Sequence, residues 1–187
     1  MGARRLFFAL WPDAPTAARL HEAGQSLALP GGRAPPEADL HLTLCFLGAV
    51  EAPLEAALCE RAAAVLAPPF ELDFDRLEYW RRSRVLVATC SQPSAVAEAL
   101  ASELRACAQR VGLTPEERPF QAHVTLLRGL GAAPALAQAA RLPAPLRWSV
   151  HSFYLAQSQE LEPAIASQAT RARYRPLSAW PLRSAPR

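Results

Sequence analysis

Short apolar blocks run through the chain, separated by proline- and glycine-rich breaks, and their period switches between two residues and a helical turn. The first block, Arg4 to Trp11 (RRLFFALW), has the length and bulk of a strand. Asp13 and Pro15 then open a helical stretch in which Leu20, Gly24 and Leu27 share a face, and the segment from Pro30 to Pro36 ends it. Asp39 to Leu47 (DLHLTLCFL) alternates as a strand. Pro53 to Leu66 places Leu54, Leu58 and Val65 at helical spacing, and Pro68-Pro69 stops it. Phe70 to Tyr79 alternates again, Arg81 and Arg82 mark a turn, and Arg84 to Cys90 (RVLVATC) is a further strand. The clearest helix is Pro93 to Val111. There Val96, Leu100, Leu104, Cys107 and Val111 form one apolar stripe, and Gly112 stands where a left-handed cap belongs. A strand around Phe120 to Arg128, a proline-rich connection through Pro143 and Pro145, a strand from Trp148 to Leu155 and one near the C-terminus complete the pattern.

The order strand, helix, strand occurs twice, each time with a histidine in the last strand. His41 follows the first strand's start at Arg4 by 37 residues, and His123 follows Arg84 by 39. This is the signal of an internal duplication of two units. Two such lobes related by a pseudo-twofold axis would set the histidines face to face.

The length of 187 residues suits one domain, or two small lobes sharing an interface, and a 51% hydrophobic content is enough for a proper core. We read residues 1–187 as a single bilobal domain, monomeric. No apolar run reaches the roughly 18 residues of a membrane span, and Met1 to Leu10 lacks the cleavage site of a signal peptide. A cytoplasmic protein without membrane contact is expected. Cys45, Cys59, Cys90 and Cys107 are too scattered for a metal knuckle or a redox pair, and they read as small buried hydrophobes. All 20 basic residues are arginine, so every cation is a planar fork suited to phosphate. From Pro163 onward the chain carries Arg171, Arg173, Arg175, Arg183 and Arg187 and no acid. That segment is either a solvated tail or a patch for a polyanion.

The candidate chemistry lies in the two histidine strands, His41-Leu42-Thr43-Leu44 and His123-Val124-Thr125-Leu126. Residues two apart on a strand point to one face. Each lobe therefore presents one imidazole and one hydroxyl, while the leucines and the valine anchor the opposite face. Around one cleft, a neutral imidazole can take a proton from water as its partner imidazolium protonates a sugar alkoxide. The ordinary histidine pKa of about 6.5 lets both forms coexist near neutrality. Threonine hydroxyls and a guanidinium can hold the non-bridging phosphate oxygens, where charge accumulates. A metal site would need more clustered ligands than the sequence supplies. His21, beside the apolar face of a helix, and His151, in a late strand, read as structural. Cys45 shares parity with His41 and Thr43 and so is expected to line the cleft, though a two-histidine hydrolysis has no need of a thiol nucleophile.

These motifs resemble those of the two-histidine (2H) phosphoesterase superfamily, and most closely its bacterial RNA 2′,3′-cyclic phosphodiesterases, once called 2′-5′ RNA ligases. The resemblance rests on Arg5 to Leu10 (RLFFAL), Pro35 to Gly48 (PPEADLHLTLCFLG), Ser83 to Leu86, Arg118 to Gly129 (RPFQAHVTLLRG), Tyr174, and Trp180-Pro181-Leu182. It implies a bilobal α+β fold with antiparallel sheets flanking a central cleft. It also implies catalysis by His41 and His123, phosphate contacts from Thr43, Thr125 and Arg128, and no cofactor or metal ion. The implied substrates are RNA ends or nucleotides bearing a 2′,3′-cyclic phosphate, opened to 2′-phosphomonoesters, with 2′-5′ joining as the reverse reaction. The alternatives are another activity of the superfamily, on cyclic nucleotides or ADP-ribose cyclic phosphate, and a non-catalytic binder of RNA ends. Two positions depart from the simple pattern. Asp39 stands where the family often has asparagine. Arg128, five residues after His123, points away by strict alternation and reaches the cleft only if the strand ends, twists or bulges.

Overall fold

The computed structural model describes residues 2–131, 140–159 and 172–184. Its strands are β1 (Arg4–Leu10), β2 (Leu42–Val50), β3 (Phe70–Trp80), β4 (Val85–Thr89), β5 (His123–Arg128), β6 (Ala140–Val150), β7 (Ser152–Ser158) and β8 (Tyr174–Pro181). Its helices are α1 (Ala14–Ser26), α2 (Ala52–Ala63) and α3 (Ala95–Arg110), with a 3₁₀ turn at Glu37–Asp39. The helix ends follow local chemistry. Asp13 caps α1 by accepting the Thr16 N–H at 3.0 Å, Ser94 caps α3 by accepting that of Ala97, and Gly112 leaves α3 at φ +87°.

The strands form two antiparallel sheets, ordered β2-β1-β7-β8 and β5-β4-β3-β6. The expected duplication is present as β1-α1-β2 and β4-α3-β5, and in each unit the second strand pairs antiparallel with the first. β2 and β5 are edge strands, and they approach one another between the sheets. The helices are exchanged: α3 packs against β2, and α1 against β5 and β6. Gly24 of α1 lies so close to β5 that a Cβ there would stand 2.7 Å from the Leu126 carbonyl oxygen. One hydrophobic cluster consequently joins both units, from Leu6, Phe8 and Leu10 through Leu100 and Leu104 to Phe74, Trp148 and Phe153. The opposite face of β1 carries Phe7 and Ala9, which pack with Ala156, Trp11, Phe46 and Tyr174.

Two expectations change near the C-terminus. The run Trp148 to Leu155 is not one strand. It splits at His151 into the end of β6 and the start of β7, which belong to different sheets. The supposed connection through Pro143 and Pro145 lies within β6, in the stretch between Arg141 and Leu146 where the pairing with β3 is interrupted, so on this edge strand the missing N–H groups remove no regular ladder bond. Among the described residues no helix is long and apolar enough to cross a membrane. Of the basic C-terminal segment, Arg173, Arg175 and Arg183 are described and exposed; Arg171 and Arg187 lie outside the described residues.

Candidate active site

His41 stands immediately before β2, and His123 is the first residue of β5. The same device orients both rings. Nδ1 of His41 lies 2.7 Å from the Asp39 carbonyl oxygen, and Nδ1 of His123 lies 2.8 Å from that of Gln121, each two residues upstream. A carbonyl can only accept, so Nδ1 carries the hydrogen and Nε2 is the free lone pair of the neutral ring.

The surroundings of the two rings differ. His41 is packed by Trp11, stacked at 5.1 Å, by Phe7 at 5.2 Å and by the edge-on Tyr174 at 4.5 Å. Burial among these rings pushes its pKa down to about 4, and the nearby charges of Arg128 and His123 act in the same sense. His123 has the Trp80 ring at 4.4 Å. Burial lowers its pKa too, aided by Arg118 and Arg128, while the Glu78 carboxylate opposes the shift. Glu78, which sequence reasoning missed, holds the surroundings of His123 together. It accepts hydrogen bonds from Thr89 Oγ1 at 2.9 Å, Gln121 Nε2 at 3.2 Å and Trp80 Nε1 at 3.3 Å. No motif marks this residue, because its partners are scattered along the chain, on β4, in the loop before β5 and at the end of β3 itself.

Asp39 plays the corresponding part beside His41. Its buried carboxylate accepts the backbone N–H groups of Arg173 at 2.7 Å and Tyr174 at 3.2 Å, which ties the start of β8 to the histidine turn. Burial nonetheless raises its pKa. An asparagine Oδ1 would accept the same two N–H groups, so the departure at Asp39 leaves this tie possible in either form.

The placement of Arg128 depends on a bulge. Along β5 the pairing with β4 runs Val87↔Thr125 and then Leu86↔Leu127, so Leu126 is an extra residue, and Leu126 and Leu127 are both buried. After that step Arg128 returns to the face of β5 that carries His123 and Thr125, near enough to both imidazoles to depress their proton affinity, although like Thr125 it lies outside the lining of both cavities. β2 does the same one residue after its threonine. Ala9↔Thr43 is followed by Phe8↔Cys45, with Leu44 and Cys45 both buried. Two consequences follow. Cys45 is 5% exposed and packed in the core yet still contributes to the cleft lining, as expected, and burial pushes its thiol up to about 11. Phe46, five residues after His41, occupies the place in the first unit that Arg128 holds in the second.

Phe46 and Thr43 line both of two adjoining cavities. The smaller, about 390 Å³, is bounded by His41, Phe7, Arg5, Ser158, Arg173 and Tyr174. The larger, about 890 Å³, is bounded by His123, Trp80, Phe120, Gln121, Arg105 and Arg118. The half-buried Thr125 lies on the side of β5 opposite Val124 and Leu126, outside the lining of both cavities. His21 bonds through Nδ1 to the Pro35 carbonyl at 2.8 Å and through Nε2 to Gln25 at 2.9 Å, and His151 is exposed at the β6–β7 junction. Both lie apart from the cleft lining, as expected.

Residues 11–162 match the family model described as "2'-5' RNA ligase superfamily". The chain belongs to the 2′-5′ RNA ligase superfamily. One relative within it is the RNA 2′,3′-cyclic phosphodiesterase of Escherichia coli K12, 36% identical over 185 residues, covering 96% of this chain and 97% of that protein. The crystal structure of E. coli LigT complexed with 3′-AMP superposes at a TM-score of 0.82, with 34% identity over 96% of this chain and 98% of that one. A Thermus thermophilus protein, TT0787, superposes at 0.76, with 29% identity over 96% and 98%. Likeness to the superfamily extends through both histidine strands and both sheets, in agreement with the α+β class and cleft read from the sequence.

Proposed function

We propose that this protein hydrolyses 2′,3′-cyclic phosphates at RNA ends to 2′-phosphomonoesters, with His41 and His123 as its acid–base pair. One observation carries the reading: two imidazoles at the starts of two edge strands of the fold, each fixed through Nδ1 to a backbone carbonyl so that Nε2 is free, with the charge of Arg128 close to both rings. In the reaction a water oxygen attacks phosphorus and gives its proton to the neutral imidazole. The bond from phosphorus to O3′ breaks, and the other imidazole, as imidazolium, protonates O3′. Thr43, Thr125 and Arg128 hold the non-bridging oxygens as negative charge gathers on them. No step needs a metal ion. Phe46 offers a flat face to a base, a contact that every base can make. The E. coli relative is a cyclic phosphodiesterase by name, and LigT has been crystallised with 3′-AMP, NADP⁺ and ATP, which supports nucleotides as ligands of this cleft.

Incubation with adenosine 2′,3′-cyclic phosphate in excess chelator, followed by phosphorus NMR, tests the reading. A 2′-phosphate should form. Activity dependent on an added divalent ion would overturn the mechanism, and a 3′-phosphate would overturn the choice of scissile bond. Absence of turnover would favour a binder of RNA ends.

A further inference from the structure

The cleft is longer than a terminal cyclic phosphate requires, and its two cavities differ in charge. The smaller cavity is lined by Arg5 and Arg173, with no acidic residue among its lining. Among the described residues, neither arginine has a carboxylate within ion-pair distance; the Arg5 guanidinium lies over the Phe46 ring at 5.2 Å. The base of Arg173 is fixed in place. Its N–H is held by Asp39 at 2.7 Å and its carbonyl accepts the Gln159 N–H at 2.7 Å, while the guanidinium remains exposed. Ser158 and Gln159 add neutral hydrogen-bonding groups to the same wall. The larger cavity is different. Glu116 is part of its lining and pairs with Arg118 at 2.6 Å, and Arg105 donates to the Arg118 carbonyl at 2.9 Å. Arg118 is already paired with a carboxylate, and Arg105 spends one N–H on a carbonyl while its buried Nε is left without a partner. Among the described residues Arg5 and Arg173 carry no such ion pair, and a guanidinium without one has more to offer a second anion.

We propose that the smaller cavity is a subsite for the phosphodiester that precedes the terminal nucleotide of an RNA end, held by Arg5 and Arg173. The strand then leaves the cleft past His41 and the start of β8. The proposal rests on the reading that the terminal cyclic phosphate lies between the histidines. It also singles out Arg173 from the basic C-terminal segment as the member that the fold brings to the cleft, while Arg175 and Arg183 stand outside both cavity linings.

The test compares kcat/KM for adenosine 2′,3′-cyclic phosphate with that for a dinucleotide ending in the same group. The wild-type protein should favour the dinucleotide by about tenfold at low salt, the worth of one charge-assisted hydrogen bond, and the preference should shrink as salt rises. Arg173→Gln should remove most of that preference, lowering kcat/KM for the dinucleotide far more than for the mononucleotide. Arg105→Gln, in the larger cavity, should keep it. Loss of the preference in Arg105→Gln but not in Arg173→Gln would overturn the proposal, as would a wild-type protein indifferent to the second nucleotide. Calorimetric binding of a dinucleotide ending in a 2′-phosphate, against adenosine 2′-monophosphate, reads the same ratio without turnover. Failure of the hydrolysis reading and failure of the subsite are thereby told apart.

Discussion

At the residue scale, the two histidines are alike in orientation and unlike in surroundings. Replacing either His41 or His123 with alanine should lower turnover by about 10² or more, the worth of a lost general acid or base. The fold should survive, because Leu42 and Val124 anchor each strand in the core while the imidazoles line the cleft. The double variant should be little worse than either single one, since both groups serve one transition state. A folded His123→Ala variant with full turnover would refute the pair. The pH dependence follows from burial. In the free enzyme both imidazoles lie below their ordinary 6.5, His41 at about 4, and the reaction needs one neutral and one protonated. Both limbs of a bell-shaped kcat/KM profile should accordingly sit low, with an optimum on the acid side of 6.5. Bound phosphodiester carries a negative charge that favours imidazolium, so the kcat optimum should lie at higher pH than that of kcat/KM. A kcat/KM optimum clearly alkaline of neutrality would contradict the buried environment. Glu78→Gln removes the one carboxylate that opposes the shift at His123, and should move one limb further toward acid.

At the scale of elements, the extra residue in each histidine strand decides which side chains share the histidine's face. Without the bulge at Leu126, Arg128 would point with Val124 into the core. α1 rests on that bulge at Gly24, and this gives a prediction of definite sign. Alanine is favoured over glycine in a helix interior by about 1 kcal/mol, so an unconstrained Gly24→Ala would stabilise. Here the new Cβ meets a backbone oxygen at 2.7 Å, which no side-chain rotation relieves. We expect a net loss of about 1–3 kcal/mol in urea unfolding. Activity should fall as well, because Leu126 and with it Arg128 must shift. A variant more stable than the parent would show that α1 does not press on β5.

At the scale of the molecule, exchange of helices makes the two units one cooperative structure. α3 belongs to the second unit by sequence and packs against the strand that follows His41. Leu104→Ala, at a fully buried position on α3, should cost about 2–5 kcal/mol. Unfolding should remain a single transition, with far-ultraviolet and near-ultraviolet dichroism and loss of activity coinciding. Two separate transitions, one per unit, would contradict a shared core.

Much of this architecture is local and therefore legible without coordinates. The apolar periods, Asp13 and Gly112 define the helices through contacts within a few residues, and the Ser94 cap, though not picked out in the sequence, is equally local. The repeated H-x-T-L strands mark the duplication and the proposed catalytic pair, because a period of two obliges His and Thr to share a face. Other features depend on partners far away in sequence. The bulges that turn Arg128 and Phe46 to the histidine's face exist in the pairing of β5 with β4 and of β2 with β1, and no single strand records them. The division of Trp148–Leu155 between two sheets, and the admission of Pro143 and Pro145 to β6, depend on which strand became an edge. The carboxylates of Asp39 and Glu78 are bound by groups 134 and 11 residues away. Packing, not pattern, separates the two histidines, because the proton affinity of a ring is set by whatever the whole chain folds around it.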